Sequence, residues 1–282
     1  RNMLYNNGYN LQISKFTQLG NSLVQLCNAI NVGIKTQSKV LMPKIGTCNE
    51  TSELLKDIPD FDFTKNYKCN ETLESKFFFS KESFDYLMLN KGRREILKNY
   101  ILPHIKNVDS ENVNDNTLVI HIRSGDIFGG WIHKNYIQPP LSFYKKIINE
   151  FKYSDILIVT QSDKKNPCVD GLLSWNPNIK IQCGTLSQDV GAILKAKNLV
   201  IGFGTFGWML SLLSDRIHNL YCPSVCTDIF DNEYHIPPFN IRRYVFEDYI
   251  KMGEWENTER QRRIMMNHPE EKIGVKVNVN EY

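Results

Sequence analysis

No apolar run in these 282 residues reaches the roughly 18 to 20 that a membrane-spanning helix needs. Charge of one sign is lacking too: 34 Lys and Arg stand against 31 Asp and Glu, a net of +3. That balance gives neither a nucleic-acid stripe nor a membrane-binding face, so an anionic ligand has to be met by local groups. The seven cysteines contain no C-x-x-C pair and the six histidines are scattered, which argues against a structural zinc site. No D-x-D pair falls at an expected strand end, so no divalent ion is expected.

What is present suits a globular protein of one large domain or two ordinary ones. Cys48 and Cys69 each open the tetrapeptide CNET, placing glycosylation sequons at Asn49 and Asn70. In a secretory lumen the two cysteines could pair and both asparagines carry glycans; in a reducing compartment these are chance sequons and free thiols. The chain opens at Arg1 without Met, so it reads as trimmed, with room for a removed signal or anchor. A Golgi or other secretory lumen and the cytoplasm both stay open.

Near the start, LQISKFTQLGNSLVQLCNAINVGIKTQSKVLMP reads as a strand, a turn at Gly20 and Asn21, a helix with Leu23, Leu26, Cys27 and Ile30 on one face, and a second strand. Thr47 to Lys76 lacks periodicity and reads as an irregular insertion; Lys81 to His104 is helical, with Tyr86, Leu87, Leu89, Ile96, Leu97 and Ile101 as core residues. The polar stretch from Asn107 to Thr117 is the expected boundary, giving domains 1–112 and 113–248. Beyond it come TLVIHI, a helix over Ser142–Phe151, DILIVT, a loop, IKIQ, the helix LSQDVGAILKAK, LVIGF and a helix from about Phe206. Strands alternating with helices at this spacing predict an α/β fold with a mainly parallel sheet, and two such halves imply a cleft. Residues 249–282 are expected to form one charged helix and a loose tail packing back on the first half.

NLVIGFGTFGWMLSLLSD places Gly202, Gly204 and Gly207 on the G-x-G-x-x-G spacing of a dinucleotide fingerprint. That fingerprint belongs to the first strand and helix of its domain, whereas only about 75 residues follow Gly207, much of them aperiodic. The dinucleotide assignment is therefore rejected. The turn still makes chemical sense as a phosphate site, with Thr205 adding a hydroxyl to the N–H groups of a helix start; the plainer alternative is a tight turn with Thr205 as its N-cap.

TLVIHIRSGDIFGGW sends His121 and Arg123 to one side of a strand ending, because residues two apart share a face. The carboxyl ends of buried parallel strands are where open α/β sheets bind ligands, and arginine suits bidentate contact with phosphate. The competing assignment is an Arg123–Asp126 ion pair that stiffens the turn.

HIRSGD resembles the H-x-R-x-x-D signature of the fucosyltransferases that form α1,2 and α1,6 linkages and of the protein O-fucosyltransferases. QLGNSLVQ resembles the early glycine–asparagine loop of the α1,2 enzymes, and IGFGTFGWMLSLLS their late block; all three occur in that family's order. The resemblance implies a GT-B-like fold, two Rossmann-like domains facing across a cleft, and inverting, metal-independent transfer of fucose from GDP-fucose to a glycan hydroxyl. It assigns Arg123 to the β-phosphate, Gly204, Thr205 and the N–H groups around Phe206 to the same diphosphate, and His121 and Asp189 to the nucleobase. Gly20 and Asn21 would approach the donor from the first domain.

Asp189 suits the paired N–H donors of guanine or the single N–H of uracil; it also reads as a solvated acid in the first turn of a helix. The sequence departs from the family at Ser124, where a second arginine is usual, and at Trp131, which takes the place of a glutamate. Asp126, ahead of His133, is then the expected base. Trp131 and Tyr136 form either an aromatic platform for an acceptor sugar or part of the core. Two alternatives remain: a UDP-sugar donor such as UDP-xylose, and a non-catalytic module that binds a glycan or nucleotide.

Overall fold

The computed structural model describes residues 8–44, 49–65, 68–78, 92–106, 108, 112–130, 132–224 and 239–278. The chain is α/β and divides into two compact units, the first running to residue 107 and the second beginning at Val108. This division falls at the start of the polar Asn107–Thr117 stretch.

In the first unit β1 (Asn10–Ile13), α1 (Leu19–Thr36) and β2 (Lys39–Leu41) form a strand–helix–strand unit. The helix starts at Leu19, so Gly20 and Asn21 belong to its first turn instead of preceding it. Leu23, Leu26, Cys27 and Ile30 are fully buried on its inner face, as the periodicity predicts. The polar residues Gln25 and Asn28 are buried as well. Gln25 Nε2 donates to the carbonyls of Lys15 (3.0 Å) and Lys76 (2.7 Å), and Asn28 Nδ2 to that of Phe77 (2.8 Å), tying loops beyond two strands to the helix.

The supposed irregular insertion holds short elements: α2 (Asn49–Leu55), β3 (Phe61–Asp62) and β4 (Thr72–Ser75). They complete a four-stranded sheet of order β3-β2-β1-β4 in which β1 runs parallel to β2 and β4. Strands of two to four residues are too short to show a period, and pairing with β1 and β2 supplies what their sequence lacks. α3 (Arg93–Ile96) continues through a π turn to Ile101, burying Ile96, Leu97 and Ile101; Tyr86, Leu87 and Leu89 lie outside the described residues.

The second unit is built on β5 (Leu118–Ile122), α4 (Leu141–Glu150), β6 (Ile156–Thr160), α5 (Pro167–Trp175), β7 (Lys180–Gln182), α6 (Leu186–Lys195), β8 (Asn198–Val200), α7 (Thr205–Leu213), β9 (Asn219–Pro223), β10 (Asn240–Phe246), α8 (Glu259–Asn267) and β11 (Ile273–Asn278). Its seven strands lie in the order β11-β10-β9-β8-β5-β6-β7, all parallel except β11. Apart from that edge, this is the order of a doubly wound sheet, with its topological switch between β5 and β8. β6 is buried along its whole length and β5 at every position but His121, hence their near-continuous apolar sequences.

Three expectations are corrected here. The loop expected after DILIVT contains α5, capped by Asn166 with Pro167 in its first turn. The chain after Gly207 is not mostly aperiodic: it provides β9, β10 and β11. The dinucleotide assignment still fails, because the glycine turn follows the fourth strand of the sheet and not the first. Finally, the tail belongs to the second unit. Its helix is confined to Glu259–Asn267, starts with a Thr258–Gln261 capping box, and packs on α4 and α5, while β11 closes the sheet against β10. Only Met265 of α8 is fully buried. The segment leading to that helix anchors the loop after β5: Trp255 Nε1 donates to the Ile127 carbonyl (3.1 Å) and Tyr249 OH to that of Gln138 (2.8 Å). Among the described residues no helix is long and apolar enough to cross a membrane.

Candidate functional site

At the switch point the ends of β5 and β8 lie side by side, and their two loops carry most of the residues singled out from sequence. The Arg123–Gly125 turn is held from the loop after β6. Ser124 donates its N–H to Gln161 Oε1 (3.1 Å) and its hydroxyl to Asp163 Oδ1 (2.7 Å), which also takes the Gly125 N–H (3.2 Å). Asn166 Nδ2 donates to the Arg123 carbonyl (3.0 Å). Burial alone would raise the Asp163 pKa, but hydrogen bonds from Ser124 and from the Lys165 and Gly125 N–H groups outweigh it and hold the carboxyl below its ordinary value. Gly125 has φ +72°, and a Cβ there would fall 2.7 Å from the Gln161 carboxamide, so the turn requires glycine. Ser124, where the resembling family has arginine, is thus a buried staple.

Arg123 leaves this turn only 19% exposed. Its guanidinium lies 4.3 Å from the centroid of the Tyr136 ring, and Nη2 reaches Asp126 Oδ1 at 3.3 Å. Nη1 is 3.0 Å from the point where a side chain on Gly204 would begin. The ion pair with Asp126 is therefore present, and it leaves the other arm of the guanidinium beside the glycine turn. Gly204 (φ 122°, ψ 166°) is the N-cap of α7 and has no side chain with which to cap it. Thr205 is the first helical residue, so the plainer alternative, Thr205 as the N-cap, does not hold. The positive end of a nine-residue helix and a fixed cation thus converge on one spot, an arrangement that an anion stabilises.

His121 lies between these features. Its ring packs against Phe206 (centroids 4.9 Å apart), and Nδ1 is 3.2 Å from the Cβ position of Gly207, where Ile201 leaves no space for a side chain. Burial, and secondarily the Arg123 charge, lower its pKa to about 4, so the imidazole is neutral at pH 7.

The other expected residues are placed as follows. Asp126 is exposed and accepts the Ile127 N–H (3.0 Å) as well as Arg123. His133 is exposed, 4.8 Å from the Tyr136 ring, and its Nδ1 accepts the Asn135 N–H (3.3 Å). Tyr136 supports Arg123 and meets Phe203 edge-on at 6.0 Å. Trp131 lies outside the described residues. Asp189 stands in the first turn of α6, which packs on α7, and accepts from Gln182 Nε2 (2.9 Å). Gly20 and Asn21 are in the first unit, in the first turn of α1. Cys48 is outside the described residues, whereas Asn70 is exposed just before β4.

Sequence reasoning missed Gln161, Asp163 and Asn166. Asn166–Pro167 is an N-cap and first-turn signature that points to the third of them. It also passed over Asp60–Phe61–Asp62, a D-x-D at β3. Asp60 accepts the Met42 N–H (2.7 Å) and Asp62 the Thr64 N–H (2.9 Å), with Lys39 at 3.4 Å from Asp62. Among the described residues no three His, Cys, Asp or Glu side chains are grouped to hold a metal. No family model matches the chain, and no curated protein matches it.

Proposed function

We propose that the protein is an inverting, metal-independent glycosyltransferase of GT-B-like architecture, its two units acting as Rossmann-like domains about a cleft, which moves fucose from GDP-fucose to a glycan hydroxyl. The observation that carries this reading is the 3.0 Å approach of Arg123 Nη1 to the Gly204 position at the start of α7. In transfer from a nucleotide sugar, negative charge grows on the departing diphosphate. A fixed guanidinium and a helix N-terminus aimed at it stabilise the transition state more than the ground state. Together they supply the positive field that a divalent ion supplies in other transferases. Neutral His121 adds a polar group without a second cation. Asp126, ahead of His133, takes the acceptor proton, and the oxocarbenium-like character of the reaction keeps the demand on that base small.

A UDP-sugar donor is the second reading, because Asp189 suits the single N–H of uracil as well as the paired N–H groups of guanine, and its Oδ1 already takes one hydrogen bond from Gln182. Thermal shift with GDP, UDP and inorganic pyrophosphate tests both readings; a ligand at 100 times its Kd stabilises by about 2.7 kcal/mol. Arg123→Ala should abolish the shift with all three and lower turnover by about a hundred- to a thousandfold. Near-normal turnover by that variant would remove Arg123 from the mechanism.

A further inference from the structure

The tetrapeptide CNET occurs twice, and neither copy takes part in the site at the ends of β5 and β8. The two copies share their residues but not their surroundings. In the first, Asn49, Glu50 and Thr51 open α2, and Thr51 is only 1% exposed. In the second, Asn70 and Glu71 lead into β4, of which Thr72 is the first residue, and all three are exposed. The backbone there is held from β1: the Asn10 N–H donates to the Glu71 carbonyl (2.9 Å) and Asn10 Nδ2 to that of Cys69 (3.4 Å). Among the described residues neither the Asn70 carboxamide nor the Thr72 hydroxyl has a hydrogen-bond partner. A carboxamide and, two residues on, a hydroxyl, both in solvent and both unengaged, are the groups that asparagine-linked glycosylation uses.

We infer that Asn70, ahead of Asn49, is the acceptor of an N-linked glycan, a modification independent of the transferase reading. The Asn70 amide nitrogen displaces the diphosphate of a lipid-linked oligosaccharide. A C–N bond forms at the anomeric carbon, the C–O bond to the diphosphate breaks, and the proton lost from the amide leaves with the diphosphate. Because the two tetrapeptides are identical, a difference between them reads the fold and not the motif. The position also gives the sugar a role. β4 ends the order β3-β2-β1-β4, so among the described residues one of its edges has no strand partner. Such an edge is a template for pairing with another chain, and β4 carries a single charged side chain, Glu74, to oppose it. A bulky, hydrated glycan at the start of that edge obstructs the approach of a second strand.

The test is to secrete the full chain from eukaryotic cells behind a cleavable signal segment and to map its peptides after enzymatic deglycosylation, which leaves an aspartate wherever a glycan stood. That mark should appear at position 70 in most chains and at position 49 in a smaller fraction. Asn70→Gln and Thr72→Ala should each abolish the mark at position 70, whereas Thr72→Ser, which keeps the hydroxyl, should retain it. Both side chains are exposed and unbonded, so the three variants should be secreted and melt at the temperature of the deglycosylated parent. On heating at equal concentration, the glycosylated chain should aggregate more slowly than Asn70→Gln. An unmodified Asn70 in the secreted chain, or an Asn49 occupied to the same extent, overturns the inference. Equal aggregation of the glycosylated chain and Asn70→Gln overturns the shielding of the β4 edge.

Discussion

Replacing Gly204 by alanine perturbs the proposed anion site at its narrowest point. At φ 122° and ψ 166° the backbone occupies a region that residues with a Cβ scarcely enter, at a cost of about 1–3 kcal/mol. The added methyl would also stand 3.0 Å from Arg123 Nη1, and the guanidinium cannot retreat freely because Asp126 and the Tyr136 ring hold its other side. Gly204→Ala should therefore lower stability by about 1–3 kcal/mol, roughly 2–4 °C in Tm for each kcal/mol, and weaken pyrophosphate binding at least tenfold. Arg123→Ala is the matched control. It loses a partly exposed ion pair and a cation–π contact, about 0.5–1 kcal/mol each at most, yet should lose binding altogether. Urea unfolding followed by circular dichroism, with pyrophosphate titration of both variants, separates the two effects. An alanine variant as stable as the parent, or one that binds pyrophosphate normally, would refute the close approach on which the site rests.

The His121 pKa near 4 lies below the unfolded value of 6.5, so between these values the unfolded chain binds more protons. Stability should rise with pH across that window and be lost as pH falls through it, by at most about 3 kcal/mol; His121→Asn should flatten the corresponding slope of urea midpoints, and an unchanged slope would contradict the burial argument. Asp163→Ala leaves the Ser124 hydroxyl and the Gly125 N–H without their acceptor, which should cost about 1–3 kcal/mol and weaken pyrophosphate binding through a misplaced Arg123. Asp163→Asn, which keeps an acceptor oxygen, should recover most of both in the same assays.

Elements with a sustained period were legible from the sequence: α1, α4, α6 and the buried strands β5 and β6 stand where periodicity puts them. Asp163 was not, because its role depends on a hydrogen bond to a residue 39 positions earlier in the chain. The short strands β3, β4 and β9 were missed for a related reason. Strands of two to four residues carry little pattern, the proline that ends β9 reads as a strand breaker, and only the neighbouring strand decides that they pair.

By itself the sequence determined the α/β alternation, the polar stretch from Asn107 to Thr117, and two ligand-suited strand endings, because turn chemistry and side-chain alternation act over a few residues. Only the tertiary structure decided that those endings are adjacent across a switch in strand order. It also decided that the tail joins the second unit. Each of these depends on which distant segments pair, and strand pairing is set by burial summed over the whole sheet, which no local window contains.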